Sequence, residues 1–112
     1  MNEAITPQQL FDRMPGYLDA AKAGDLNATI QFDLSGPEGG RWYVTIANGQ
    51  ATANVGQTEA PRLTVSASAG DAVKILTGEM EATTAFMTRK LQLKGDMSLA
   101  LRLQSLFHRP SS

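Results

Sequence analysis

The segment DMSLALRLQSLF at 96–107 is too apolar around its circumference to be an ordinary surface helix, and that excess restricts what the rest of the chain can build around it. Gly95 breaks the extended run before it, and the Asp96 carboxylate is a good acceptor for the free amides of a first turn, so a helix is expected to start there. Advancing about 100° per residue, Leu99, Ala100, Leu103, Leu106 and Phe107 form one apolar sector, and Met97 and Leu101 form a second beside it. Ser98, Arg102, Ser105 and Arg109 fall on a polar stripe, with Gln104 between the two apolar sectors. A helix packed on a core needs an apolar arc of little more than ~100°, and this one covers roughly twice that. The second sector therefore needs a cover of its own: a lipid-filled cavity, a partner chain or a membrane surface.

Upstream, the period is two. Leu26, Ala28, Ile30, Phe32 and Leu34 alternate with Asn27, Thr29, Gln31 and Asp33, the pattern of a half-buried strand. After the turn at 36–40, Trp42, Val44 and Ile46 repeat it. Asn48-Gly49 is the strongest hairpin signal present, because a type I′ turn needs positive φ at both central residues. Two more strands follow at 51–55 and 63–67, and a fifth at 90–94 with Leu91 and Leu93 inward. All five have one apolar and one polar face, which is characteristic of antiparallel sheets wetted on one side. The small inward residues Ala51, Ala53 and Ala67 leave volume that larger side chains would fill.

The helices read as coverings for that sheet. Thr6-Pro7 starts the first, which carries Leu10, Phe11 and Met14, and Pro15-Gly16 stops it; a second piece over 17–23 ends at Gly24. This N-terminal unit is expected to pack as a lid on the sheet edge. A middle helix begins near Ser68, with Asp71 completing a capping box, and runs through Ala72, Val73, Ile75 and Leu76 to Gly78. A short helix over 81–88 carries Ala82, Ala85, Phe86 and Met87. The fold class is thus α+β, a five-stranded mainly antiparallel sheet with helices on one face.

At 112 residues the chain reads as a single domain, 1–112, large enough to bury a core unaided. It has no cysteine, which removes disulfides, thiolate metal sites and a thiol nucleophile. The N-terminal MNEAITPQQL has neither the basic nor the apolar region of a leader, so a soluble, cytoplasmic protein is expected. Charge is uneven: residues 1–88 hold five basic and ten acidic groups, whereas 89–112 hold five basic and one acidic. Arg89, Lys90, Lys94, Arg102 and Arg109 are either a solvated face or an attraction for anionic headgroups.

Signals for chemistry are weak. His108 is the single histidine, and without cysteine it cannot make a zinc site of the usual kinds. No nucleophile-elbow sequence accompanies it, and the glycines at 36–40 lack the lysine and spacing of a phosphate-cradling loop. A slightly negative chain whose aromatics lie on apolar faces is a poor nucleic-acid binder. No enzyme activity, metal or cofactor is expected.

Several ordered motifs carry a likeness. LTGE at 76–79, AFM at 85–87, KLQLKGDM at 90–97 and LALRLQSL at 99–106, together with IQFDLSG at 30–36 and RWYV at 41–44, resemble the sterol carrier protein 2 (SCP2) family over nearly the whole chain, in the manner of a small bacterial-type member. The resemblance implies an SCP2-like fold enclosing a hydrophobic tunnel, and non-enzymatic binding and transfer of a fatty acid, acyl-CoA, phospholipid or sterol-like ligand. The tunnel candidates are Phe32, Trp42, Leu76, Phe86, Met87, Leu91, Met97, Leu101 and Leu103, residues that would serve equally in a plain core, with Gln104 as a polar contact. Unbranched Met87 and Met97 suit ligands of differing shape. The implied partner is a lipid or fatty acyl ligand, with transient membrane-surface contact and a monomer or weak dimer. The alternative is a protein-interaction or dimerisation module that docks the apolar C-terminal helix without lipid.

Overall fold

The five alternating runs form one mixed sheet in the computed structural model, which describes residues 6–36, 39–76 and 79–106, without the side chains of residues 7, 76, 82 and 103–105. In chain order the elements are α1 (Pro7–Arg13), a 3-10 turn (Met14–Tyr17), α2 (Ala20–Ala23), β1 (Ala28–Ser35), β2 (Gly40–Ala47), β3 (Gln50–Val55), β4 (Leu63–Ser68), α3 (Ala69–Leu76), α4 (Ala82–Met87), β5 (Leu91–Gly95) and α5 (Met97–Leu106). The strand order is β3-β2-β1-β4-β5.

Three of the four strand pairs are antiparallel, as the one-sided wetting implies, but the central pair β1–β4 is parallel. The reason is topological. From the edge strand β3 the chain must pass β2 and β1 to reach its place, and it does so along the polar face. Gly56 N–H donates to Arg41 O at 2.8 Å, and Arg62 N–H to Thr29 O at 2.9 Å, marking the two ends of the crossing. Between them lies Gln31, which alternation places outward and which the loop buries. Its amide nitrogen donates to Trp42 O at 3.2 Å and Gly56 O at 3.1 Å, and its oxygen accepts Thr58 N–H at 2.8 Å. A residue that reads as solvated is in fact the peg on which the crossover hangs.

Register keeps the apolar rows together: Ile30 faces Val44 and Leu63, and Phe32 faces Trp42 and Val65. The helices supply the other side of this core. Phe11 of α1 stacks on Trp42 at 5.0 Å and 14°, and meets Phe32 at 5.0 Å with a tilt of 58°. Trp42 stays satisfied, donating its indole N–H to Gln8 Oε1 at 3.2 Å. Ala72 and Ile75 of α3 are buried in the same cluster.

The N-terminal unit packs on the β3 edge, as its lid-like reading implies, though its second piece is shorter than the expected 17–23. Pro15 and Gly16 continue as a 3-10 turn, Leu18 is extended, and α2 starts only after Asp19, whose carboxylate accepts Lys22 N–H at 3.2 Å. The 3-10 turn lies against β3. The small side chains of Ala51 and Ala53 suit that close approach, and Met14 is buried in the same core with Tyr17 packed against it. At the other end of that hairpin, Asn48 and Gly49 have φ of 56° and 73°, the two positive values a type I′ turn requires.

Candidate functional site

The site is built on the edge strand β5 and the two helices that flank it in sequence and pack against it. α5 begins where the composition places it. Asp96 Oδ1 accepts Leu99 N–H at 3.2 Å, and Oδ2 receives Arg62 Nε at 3.0 Å. Asp96 N–H donates to Arg62 O at 2.9 Å, so the cap is also a clamp between β4 and α5. The far end is fixed on α2, where Asp19 N–H donates to Leu106 O at 2.7 Å and Arg102 Nη2 to Lys22 O at 3.0 Å.

The hydrogen bond from Leu99, and after it the Arg62 guanidinium, hold the Asp96 carboxyl below its ordinary range against the opposing effect of desolvation. A carboxyl whose folded pKa is depressed contributes stability that is present above its unfolded pKa, near ~3.9, and lost as pH falls through the folded value. Asp96→Asn should therefore flatten the loss of melting temperature on acidification below pH about 4. Thermal melts across that range would show it; parallel curves for the two proteins would mean that the clamp contributes nothing.

Held this way, α5 spends its first apolar sector on the core and leaves its second outside. Leu99 and Leu106 are buried, whereas Met97 is 43% and Leu101 83% exposed. α4 repeats the arrangement: Ala85 is buried, while Phe86 is 46% and Met87 76% exposed. Of the five large apolar side chains exposed among the described residues, four lie on these two helices; Val55 on β3 is the fifth.

The ten expected lipid contacts thus divide. Phe86, Met87, Met97 and Leu101 form the exposed set. Leu91 is buried on β5, and Phe32 and Trp42 are buried against Phe11, so those two rings have one face committed to core packing. The side chains of Leu76, Leu103 and Gln104, together with Phe107, His108 and Arg109, lie outside what is described. Leu93 was not among the candidates, yet it is half-buried on the inward row of β5, opposite Val65. Its alternation with Leu91 already places it inward, and that is the signal that could have added it to the candidates.

Among the described residues no helix is long and apolar enough to cross a membrane, and no three His, Cys, Asp or Glu side chains gather as metal ligands. What the arrangement offers chemically is apolar contact area next to a clamped helix.

The comparisons with known proteins agree with this architecture. Hydroxysteroid dehydrogenase-like protein 2 of Xenopus laevis is 39% identical over 105 residues, covering 93% of this chain and 25% of that protein. The chain thus spans about a quarter of the length of such relatives. The sec-alkylsulfatase Pisa1 from Pseudomonas sp. superposes with a TM-score of 0.84 at 24% identity, over 96% of this chain and 17% of that one. Palmitated SCP2L2 from Aedes aegypti superposes with a TM-score of 0.74 at 19% identity, over 96% of this chain and 99% of that one. The model of the SCP-2 sterol transfer family matches residues 8–108. With a match running through nearly all of its 112 residues, and with the strands and helices just described, the chain belongs to the SCP-2 sterol transfer family.

Proposed function

We propose that this domain binds and transfers lipid without chemical turnover, holding an acyl or isoprenoid chain against Phe86, Met87, Leu93, Met97 and Leu101. Leu91, Phe32, Trp42, Leu76, Leu103 and Gln104 are the further contacts this reading proposes. The observation that carries this reading is the second sector of α5, presented to solvent at Met97 and Leu101, with Phe86 and Met87 likewise exposed on α4, the other helix packed on β5. Large apolar side chains concentrated in one part of a surface mark a binding face. Each enclosed methylene contributes about 0.8 kcal/mol, so a dozen give roughly 10 kcal/mol gross. That suffices for micromolar affinity after the ordering costs of association.

The palmitated relative supports a fatty acyl ligand as the first to try. Fatty acid, acyl-CoA, phospholipid and sterol-like molecules share the chain that this face would hold. The dehydrogenase and sulfatase activities named for the longer relatives belong to those proteins, of which the match covers a quarter or less.

Leu101→Glu should weaken uptake of a fluorescent fatty acid at least tenfold while leaving the melting temperature nearly unchanged, since an exposed substitution alters stability by about 0.5 kcal/mol or less. Leu99→Ala, two residues away but buried, should do the reverse at about 2–5 kcal/mol. Native mass spectrometry of the purified protein supplies the decisive alternative. A ligand-free dimer that refuses fatty acid would replace the carrier with an interaction module.

A further inference from the structure

The outward face of the sheet holds a second feature that does not depend on the lipid reading. Register aligns Arg41 on β2, Asp33 on β1, Ser66 on β4 and Gln92 on β5 in one row across four strands. That row lines part of an open depression of about 680 Å³, together with Ser68, Asp71 in the first turn of α3, Arg89 and Lys90 between α4 and β5, and the apolar Leu34 and Ala67 among others. An open depression of this size has room for more than a single inorganic ion.

The charges are unequally committed. Asp33 is engaged by Arg41 Nε at 3.7 Å and by Gln31 Nε2, which donates to it at 3.3 Å. Arg41 also donates to Gln57 Oε1 at 2.8 Å. Among the described residues neither Arg89 nor Lys90 is ion-paired. Arg89 also holds a left-handed backbone, φ 65°, which glycine adopts freely and arginine does not. A strained backbone that keeps a long cationic side chain in place of glycine, at the rim of a depression lined by polar and apolar groups alike, is a reason to ask what that side chain holds.

The geometry points to a phosphate site: this depression binds a phosphate group borne by a small organic molecule or by a lipid headgroup. Arg89 and Lys90 are its cationic contacts. An arginine fork meets two phosphate oxygens at once, and a lysine ammonium adds a point charge. The floor supplies neutral donors. Ser68 Oγ accepts Asp71 N–H at 3.1 Å, which leaves its own hydroxyl proton available, and Ser66 and Gln92 offer a hydroxyl and an amide. Asp71 sets a limit, favouring a phosphate that approaches from the Arg89 side.

The test uses the purified protein with three variants: Arg89→Gly, Lys90→Gln and, as a control on the adjoining strand β5 but outside the lining, Lys94→Gln. Calorimetry with glycerol 3-phosphate and with pyrophosphate probes a soluble source. Cosedimentation with phosphatidylcholine vesicles, with and without phosphatidic acid, probes a headgroup. Loss of one charged contact should weaken binding roughly ten- to a hundredfold in Arg89→Gly and Lys90→Gln, with Lys94→Gln unchanged. Arg89→Gly should melt at or above the parent temperature, because glycine relieves the left-handed backbone. That dependence seen with the soluble compounds, or with phosphatidic acid vesicles alone, supports the site and names its source. No binding of either, binding indifferent to Arg89→Gly, or equal weakening by Lys94→Gln overturns it. Fatty-acid uptake, followed in the same variants, should stay at the parent level, so the two readings fail separately.

Discussion

A Gly95→Ala variant should melt roughly 12–24 °C below the parent, a loss of about 3 kcal/mol in a domain of this size. Gly95 is the last residue of β5 and has φ of 118°, outside what a residue with a Cβ adopts without strain. The added carbon would also lie 2.5 Å from Arg62 O and 3.2 Å from Leu63 Cα on β4. Neither atom can swing away like the tip of a flexible side chain, because Arg62 O is also the acceptor of Asp96 N–H and Leu63 pairs with Gly95 in the ladder. The β4–β5 end must therefore open, taking with it the Asp96 clamp that starts α5. Thermal or urea denaturation measures the effect directly; a loss of only a few degrees would show that the two strands part there at little cost.

The second large effect is at Gln31. Gln31→Leu preserves the volume but leaves Thr58 N–H, Gly56 O and Trp42 O without their side-chain partner beneath the crossover. Buried backbone groups stripped of a partner cost about 1–3 kcal/mol each, reduced wherever water can enter, so a loss of about 2–4 kcal/mol is the outcome to look for. Gln31→Glu separates hydrogen bonding from packing. It keeps the shape and the acceptor, replaces the donor with charge, and sets a second carboxylate beside Asp33. Its deficit should be large at neutral pH and shrink as the pH falls through the carboxyl range, whereas that of Gln31→Leu should not. A Gln31→Leu protein as stable as the parent would mean that the crossover loop is held elsewhere.

These two positions show where reading the chain succeeds and where it stops. Strand positions, the Asn48-Gly49 turn, the Asp96 cap and the two sectors of α5 all rest on local periods or on turn chemistry, and local physics makes them legible. Gly95 was legible as a break but not as a close approach, since the atom it must avoid belongs to a residue far away in sequence. Gln31 was misplaced as solvated for the same reason: period two says which face a side chain takes, not which loop will later lie over it. The parallel β1–β4 pair depends on that same loop. Within the candidate site, the exposure of Met97 and Leu101 follows from the helical wheel. The commitment of Phe32 and Trp42 to Phe11 does not, because it requires knowing that α1 returns to the sheet.

The place of β5 at the margin of the sheet has a consequence for how a guest would come and go. This strand has a hydrogen-bonded neighbour on one side only, β4, and it carries α4 and α5 with it. A guest that displaced this segment would disturb the β4–β5 ladder together with the Arg62–Asp96 clamp and the bonds from α5 to α2, while the other four strands stay zipped and preserve the template to which the segment returns.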